Sequence, residues 1–391
     1  MIQIKDKSQC CGCMACESVC THKAIIMQPD EEGFLYPSVN SSLCINCGLC
    51  DAVCPIIYRN KNVDLSHNQK ALYAVRHKDK ETLLDSSSGG AFFALAEFVI
   101  NKGGIVCGVE YSPNMEVRHA FAETLEGCRR FMGSKYVQSN LNGIFHQIKS
   151  YLKSDRYVLF TGTPCQVEAL KLYLKKSYKN LITADLVCHA VPSPLIFKEY
   201  VEFVNKKKRA NLLAIDMRYK RICGWSHRFS YMYTFDTCKS ICDPSDISNW
   251  GRLYFSRLID RPSCHDCKFT NFHRSGDFTL ADFWDDAHKR PELYSPDGTS
   301  LFLVNSEKGM SLLPSIKEYL DLWSITPEEA WQPCLDVSTK SSSQRQTFWE
   351  YYKKQGFDFV YRKYFTDSYK VRLKRQIKKA LKIAGLWKRN V

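Results

Sequence analysis

The chain alternates short apolar runs with segments whose apolar residues recur at helical spacing. A run of four to six apolar residues between turn residues is typical of a buried strand, and a spacing of three or four is typical of a helix packed on one face. This alternation predicts a mixed α/β sheet that begins near residue 71. The predicted strands are residues 71–76, 105–109, 157–161, 181–187, 212–217, 230–235 and 301–304, and the predicted helices are residues 89–101, 163–175 and 193–206.

The first 55 residues have a different pattern, in which the spacing C-x2-C-x2-C-x3-C occurs twice and Pro55 follows the second copy. Three closely spaced thiolates can hold three corners of a [4Fe–4S] cube. In the duplicated arrangement the fourth cysteine of each run binds the other cluster. We therefore predict that one cluster is bound by Cys10, Cys13, Cys16 and Cys54, and the other by Cys44, Cys47, Cys50 and Cys20.

The alternative for this segment is a pair of zinc sites, because C-x2-C pairs are also common zinc ligands. Zinc needs neither a third closely spaced cysteine nor a trailing proline, so the spacing favours iron–sulfur clusters. The segment is predicted to be a two-cluster ferredoxin that carries electrons.

These patterns divide the chain into four parts. Residues 1–58 are the predicted ferredoxin domain, and polar residues 59–70 are a predicted linker. Residues 71–340 are the predicted core, and residues 341–391 are a C-terminal extension. The predicted fold class is a ferredoxin-like α+β domain followed by a mixed α/β core.

The composition indicates the cellular compartment of the protein and shows a strongly basic C-terminal segment. No apolar run approaches the roughly 18–20 residues of a membrane helix, and thiolate-bound clusters fit a reducing compartment, so we expect a cytoplasmic protein. The net charge is +14, and residues 368–391 hold nine Lys or Arg and no acid. Apolar residues along this tail predict an amphipathic helix. An ordinary terminal helix is the favoured interpretation; contact with an anionic membrane surface or an acidic partner is the alternative, and nucleic-acid binding is disfavoured.

The core contains a second group of cysteines. Cys165 opens a helix directly after a strand, and Cys188 ends the next strand beside His189. Adjacent strands of an open α/β sheet present their carboxyl ends at one edge, so these two cysteines are expected to lie near each other. With the C-x2-C pair Cys264 and Cys267 they would supply four soft ligands for a third [4Fe–4S] cluster.

Two other interpretations of the core cysteines remain open on spacing alone. Cys238 and Cys242 with Cys264 and Cys267 would make a zinc ribbon. Cys165 with His189 would make a nucleophile and its base.

Five stretches of the core stand out as a set. They are residues 87–92 (SSGGAF), 133–138 (GSKYVQ), 161–166 (TGTPCQ), 188–194 (CHAVPSP) and 261–269 (RPSCHDCKF). Together they resemble the coenzyme F420 hydrogenase/dehydrogenase beta-subunit family. The resemblance implies an FAD-binding α/β core and a [4Fe–4S] cluster beside the flavin, held by the cysteines at positions 165, 188, 264 and 267. It also implies electron exchange between clusters and flavin, and hydride exchange with an organic partner.

A physical argument also favours flavin at the first of these stretches. Glycines that open a helix let the backbone approach a pyrophosphate, and the helix N-terminus favours its negative charge. An ordinary helix cap is the alternative meaning of the same residues. The flavin contacts that the resemblance and these loops imply are Ser88, Gly89, Gly90, Ser134, Lys135, Tyr136, Thr161, Gly162, Thr163 and Gln166.

The sequence thus predicts an iron–sulfur flavoprotein oxidoreductase. Its partner would be a redox protein or a small organic hydride donor or acceptor. The alternative functions are an electron-relay subunit that serves a separate catalytic partner, and a basic scaffold in which the clusters are structural. No catalytic residue is assigned, and Asp282, His189 and His265 are candidate proton donors by position only.

Overall fold

The computed structural model describes residues 1–62, 66–222, 224–226, 230–244, 246–284 and 290–366. These residues belong to two compact units, Met1–Ser342 and a second unit that begins at Ser343. The first unit therefore contains both the cysteine-rich segment and the core. The predicted amphipathic tail, residues 368–391, lies outside the described residues.

The cysteine-rich segment is a small α+β domain built around a two-stranded antiparallel sheet, in which Ile25 pairs with Val39. Met14 and Gly48 each adopt left-handed backbone just before a helix, so that each cysteine loop turns directly into that helix. The elements are a 3-10 helix (Lys7–Gln9), α1 (Ala15–Val19), β1 (Ile25–Pro29), β2 (Leu35–Val39), α2 (Leu49–Ala52) and α3 (Pro55–Lys61).

Helix α3 extends past residue 59, where the linker was predicted to begin. Pro55 occupies the first turn, where its missing N–H costs nothing. Arg59 is buried, and its Nη2 donates to Glu168 Oε2 at 3.0 Å and to Ser275 Oγ at 3.1 Å. Helix α3 therefore continues the ferredoxin domain through residues 59–61, and the contacts of Arg59 join this helix to the core. The polar composition did not reveal these long-range contacts.

The remaining strands form two sheets. Each strand predicted from the sequence has a counterpart within a few residues, and four further strands (β5, β10, β11 and β13 below) were not predicted. The strands are β3 (Ala71–His77), β4 (Ile105–Tyr111), β5 (Val117–Ala122), β6 (Val158–Gly162), β7 (Leu181–Leu186), β8 (Leu212–Asp216), β9 (Met232–Phe235), β10 (Ser240–Cys242), β11 (Phe278–Asp282), β12 (Ser300–Val304) and β13 (Leu320–Ser324).

The central sheet has the strand order β13-β3-β12-β11-β7-β6-β4-β5. Strands β3, β11, β7, β6 and β4 run in one direction, and β13, β12 and β5 run against them. Strands β10, β9 and β8 form a separate antiparallel sheet. The predicted mixed α/β core is therefore confirmed. The parallel strands bring their carboxyl ends, and the loops that follow them, to a single edge.

Helices cover both faces of the central sheet. On one face Phe93 of α5 and Ile316 of α11 join a cluster with Leu159 and Ile182 of the sheet. The helices are α4 (Lys80–Asp85), α5 (Ala91–Asn101), α6 (Leu125–Arg129), α7 (Ile144–Lys153), α8 (Pro164–Leu174), α9 (Pro194–Lys208), α10 (Trp250–Phe255), α11 (Glu307–Ile316), α12 (Pro327–Ala330) and α13 (Arg345–Phe365), with 3-10 turns at Pro262–Asp266, Pro291–Leu293 and Pro333–Leu335.

The other face of the sheet carries the ferredoxin domain. Ile148 of α7 and Leu170 of α8 pack with Phe160 of β6, and Met14 and Val53 of the ferredoxin domain belong to the same buried cluster. Burial of apolar surface contributes roughly 25 cal/mol per Å², so this shared core fixes the ferredoxin domain on α7 and α8.

The second unit contains α13. Its backbone leaves helical geometry at Gly356, which has a φ of +73°. Phe348 and Phe357 are among the residues buried within the unit.

Candidate functional site

The ferredoxin domain brings together the first predicted set of cysteines. Burial raises the pKa of the Cys16 thiol, and the nearby Cys10 and Cys54 raise it further. Burial also raises the pKa of Cys54, and Cys10 adds to that effect. Cys54 therefore reaches across from the second run to Cys10, Cys13 and Cys16, as the predicted ligand exchange requires.

The second predicted set lines one small cavity. Cys20, Cys44, Cys47 and Cys50 all face it. The backbone N–H of Ala24 donates to Cys20 Sγ at 3.3 Å, and the N–H of Ile2 donates to Cys50 Sγ at 3.3 Å. Such hydrogen bonds favour thiolates over thiols, so this donor set fits a [4Fe–4S] cluster.

The four core cysteines also come together, at the carboxyl edge of the central sheet. Cys165 is in the first turn of α8 after β6, and Cys188 follows the parallel neighbour β7. Burial is the main cause that raises the pKa of Cys188. The nearby thiols of Cys264, Cys165 and Cys267 raise it further. The donor chemistry of the four thiols fits a third cubane. In the described part of the chain no three His, Cys, Asp or Glu side chains are grouped for a single metal ion.

A buried ion pair holds the segments that carry two of these cysteines. Arg274 Nη2 donates to Asp185 Oδ1 at 2.8 Å, and both side chains are essentially inaccessible to solvent. Asp185 also accepts from Thr279 Oγ1 and from the N–H of Gly276, each at 2.7 Å. Arg274 in turn donates to the carbonyl of Leu186 at 2.8 Å. The pair thus ties the end of β7, before Cys188, to the loop after Cys267.

Cys11 joins the ferredoxin domain to the core cysteines, and the sequence reasoning missed it. Cys11 lies beside Cys165, and this proximity together with burial raises the pKa of the Cys165 thiol. Cys11 also contacts Cys13. The available signal was a fifth cysteine, adjacent to Cys10, that the cluster spacing does not use.

The two other interpretations of the core cysteines find no support in these contacts. Cys238 is exposed in the turn between β9 and β10, and neither Cys238 nor Cys242 is among the main influences on Cys264 and Cys267. Cys165 interacts with Cys11, Thr163 and Arg261 rather than with His189.

The predicted flavin loops meet at the same edge of the sheet. Ser134 N donates to Ser87 Oγ at 2.7 Å, which joins the loop at residues 87–90 to the loop at residues 133–136. The predicted contacts Ser88 and Lys135 lie in these two loops. Tyr136 is partly buried beside Arg218, and desolvation raises its pKa.

The helix-opening glycines have structural roles in addition to any ligand role. A Cβ at Gly89 would collide with the carbonyl oxygen of Val75 and the backbone of Ser300. Gly90 has a φ of +83°, and its Cβ would lie 2.7 Å from His77 Cβ. Replacement of either glycine would therefore damage the packing of α5 on the sheet, whatever else the loop binds.

The third predicted flavin stretch forms a helix cap. Thr163 and Gln166 make a capping box at the start of α8, with Thr163 N donating to Gln166 Oε1 at 2.9 Å. Gln166 Nε2 also donates to Ser139 Oγ at 3.1 Å. Thr161 Oγ1 donates to the carbonyl of Cys107, and Gly162 ends β6. These residues place Cys165 at the edge of the sheet.

A group of charged residues lies beside the flavin loops, and its members Lys220, Arg218 and Asp216 were not predicted. Lys220 Nζ donates to the carbonyl of Ser88 at 2.5 Å, and burial lowers its pKa to about 7. Burial lowers the pKa of Lys135 to about 8. Arg218 Nη2 lies 3.6 Å from Asp282 Oδ1. These two lysines and Arg218 face Asp216 and Asp282. Glu110 also acts on Lys135, and Asp297 also acts on Lys220.

The candidate proton donors are spread over this region. Asp282 accepts from Trp225 Nε1 at 3.0 Å and pairs with Arg218. His189 is largely buried, and burial lowers its pKa. His265 Nδ1 lies 2.9 Å from the carbonyl of Thr339. Asp282 is the one of the three that belongs to the charged group beside the flavin loops.

A cavity of about 800 Å³ lies between the ferredoxin domain and the core. Its walls include Gly12 and Leu35 of the ferredoxin domain, Gln138, and Phe197 and Lys198 of α9. None of the predicted flavin contacts lines it. No helix in the described part of the chain is long and apolar enough to cross a membrane.

The fold and the cysteine sets define an iron–sulfur electron-transfer protein in which a two-cluster ferredoxin is packed on an α/β core. Comparison with known families agrees. Residues 9–56 match the 4Fe-4S dicluster domain, and residues 155–329 match the C terminus of the coenzyme F420 hydrogenase/dehydrogenase beta subunit. The chain therefore combines a 4Fe-4S dicluster domain with a later segment that is similar to the C terminus of this beta subunit.

Individual relatives are distant. The chain is 25% identical over 189 residues to the F subunit of the F(420)H(2) dehydrogenase of Methanosarcina mazei, a match that covers 46% of this chain and 53% of that protein. It is 43% identical over 44 residues to the ferredoxin-type protein NapF of Escherichia coli, covering 11% and 27% respectively. The chain thus spans about half the length of the first relative and about a quarter of the second.

Among solved structures, the chain is similar to one from the F420-reducing [NiFe] hydrogenase complex of Methanosarcina barkeri. The identity is 17% and the TM-score is 0.43, and the match covers 77% of this chain and 93% of that chain.

Proposed function

We propose that the protein is an iron–sulfur flavoprotein oxidoreductase that passes electrons between its ferredoxin clusters, a core cluster and FAD, and exchanges hydride with an organic partner. When bound, the clusters carry single electrons and FAD pairs them for two-electron chemistry. The observation that supports this route is the contact between Cys11 and Cys165, which brings the ferredoxin ligands next to the core cysteines.

The residues of the chain have separate tasks in this proposal. Cys165, Cys188, Cys264 and Cys267 hold the core cluster. Lys135, Arg218 and Lys220 supply positive charge beside the flavin loops. An anionic group of the ligand would compensate these cations for the hydration that they lose on burial. Asp282 is placed in the same group to hold or release a proton.

The far end of the ferredoxin domain is suited to exchange electrons with a redox partner protein. Cys47 is exposed, and Leu43 and Ile45 beside it are 48% and 63% exposed. Exposed apolar side chains around a cluster ligand give a partner a surface on which to dock close to the cluster.

Anaerobically purified protein is expected to carry about one FAD per chain, and Lys220→Met is expected to lose most of it, because the positive charge at the Ser88 carbonyl is removed. The measurement is flavin released by denaturation, with iron content as the check that the ferredoxin domain is intact. Lys102→Met, a change at an exposed lysine of the same size, should keep the flavin. Full flavin occupancy in Lys220→Met would overturn the assignment of this charged group.

Turnover separates the oxidoreductase from a relay subunit. The isolated chain is mixed anaerobically with NADH, NADPH or reduced coenzyme F420, and flavin absorbance is followed against substrate concentration. Saturable reduction by one donor supports a substrate site on this chain. Flavin that responds only to a reduced partner protein assigns the chain to electron relay.

A further inference from the structure

Arg261 is a fully buried arginine that belongs to the core by its backbone. Its N–H donates to the carbonyl of Val191 at 3.0 Å, and its carbonyl accepts from the N–H of Cys264 at 2.9 Å. It therefore starts the loop that presents Cys264 and Cys267, and its side chain is 0% exposed.

The guanidinium of Arg261 crosses into the ferredoxin domain and contacts Cys10. Its Nε donates to the Cys10 carbonyl at 2.6 Å, and its Nη2 lies 3.4 Å from Cys10 Sγ. Nη2 also donates to the carbonyl of Leu35 at 2.9 Å, and Nη1 donates to Gln138 Oε1 at 3.0 Å. The ring of Tyr36 covers one face of the guanidinium, with its centroid 4.4 Å away. These contacts fix the cation at one position.

The charge of Arg261 needs a counter-ion. In the described part of the chain no carboxylate forms an ion pair with it, although an unpaired buried ion costs several kcal/mol. Cys10 is the first of the neighbours that stabilise its charge. A [4Fe–4S] cube with four thiolates carries two negative charges when oxidised and three when reduced. A buried cation at one of its sulfurs therefore stabilises the reduced form more than the oxidised form.

We propose that Arg261 raises the reduction potential of the cluster bound by Cys10, Cys13, Cys16 and Cys54, and so holds the transferable electron at the cluster beside the core cysteines. The step is one electron gained by that cluster and one lost by its donor cluster or partner. The inference rests on the dicluster domain and not on the flavin, so failure to find FAD leaves it standing.

The test is a redox titration of the full chain, purified anaerobically and followed by the electron paramagnetic resonance of the two ferredoxin clusters. Arg261→Gln is expected to lower the potential of one cluster by about 59 mV, which is a tenfold loss of its reduced form at a fixed potential. Arg261→Lys keeps the charge and should shift it less. The potential of the cluster bound by Cys20, Cys44, Cys47 and Cys50 should stay unchanged in both variants.

Two further variants keep the test decisive. Gln138→Glu places a carboxylate next to the guanidinium and should lower the same potential even if Arg261→Gln fails to retain iron. Arg130→Gln removes a partly exposed arginine that pairs with Glu110, and both potentials should then equal those of the wild type. Unchanged potentials in Arg261→Gln with full iron, or in Gln138→Glu with full iron, overturn the proposal. Equal shifts in Arg261→Gln and Arg261→Lys overturn the role of charge.

Discussion

Changing Cys264 and Cys267 together to serine is expected to remove about four of roughly twelve irons per chain, because three cubanes hold about four irons each. The ferredoxin clusters should remain, since their eight cysteines lie in a separate domain. The flavin should stay bound but no longer be reduced through the ferredoxin domain, because the carrier between them is missing. Iron and zinc analysis, together with flavin reduction by a reduced partner protein, measures both effects.

The matched control is the double change of Cys238 and Cys242 to serine. These two cysteines have similar spacing, but Cys238 lies in the β9–β10 turn and Cys242 ends β10, so iron content should equal that of the wild type. Cys165→Ser alone should cost the whole core cluster. A wild type with about eight irons and one zinc would establish the zinc ribbon instead. Loss of turnover in Cys165→Ser with all iron retained would establish a nucleophile.

Replacing Asp185 by alanine is expected to lower the free energy of unfolding by about 3–5 kcal/mol. The change leaves the buried Arg274 without its carboxylate partner, and removal of one partner of a buried ion pair is destabilising by this amount. The change also removes the contact that holds the end of β7 to the loop after Cys267. The core cluster should therefore be lost as well. Urea unfolding followed by circular dichroism and iron analysis under anaerobic conditions measures the two effects.

Asp321→Ala provides the comparison, because this aspartate lies on an exposed position of the edge strand β13. Its unfolding free energy should differ from the wild type by no more than about 0.5 kcal/mol. A loss of less than about 1 kcal/mol in Asp185→Ala would contradict the structural role given to the ion pair.

Local patterns in the sequence were sufficient to predict the ferredoxin-like domain and the strands β3, β4, β6 and β7. Strands such as β6 and β7 are almost wholly buried and mostly apolar, so they stand out from the helices beside them. Strand β13 was missed because Asp321 and Ser324 leave only a short apolar pattern at the edge of the sheet, in which Leu320 alone is fully buried. Strand β11 was missed because its threonine and aspartate interrupt a short apolar run.

The site was harder to predict where it depends on distant parts of the chain. Arg261 contacts Cys10 across 251 positions of sequence, and Lys220 contacts Ser88 across 132. Neither residue lies in a local pattern that indicates its partner. Gly89 and Gly90 were predicted to contact a phosphate because glycines that open a helix often bind phosphate groups. Both glycines also pack closely against β3. Sequence alone cannot separate the two causes.

The ferredoxin domain shares a buried apolar cluster with α7 and α8, and this has a consequence for the speed of electron flow. A domain on a flexible linker must diffuse to its acceptor before it can transfer an electron. Its rate of electron transfer therefore falls as the viscosity of the solvent rises. Here Met14 and Val53 are locked into the same interior as Phe160, and Arg59 is paired with Glu168. The gap between Cys10 and the core thiols is therefore constant, and transfer across it should be as fast in glycerol as in water.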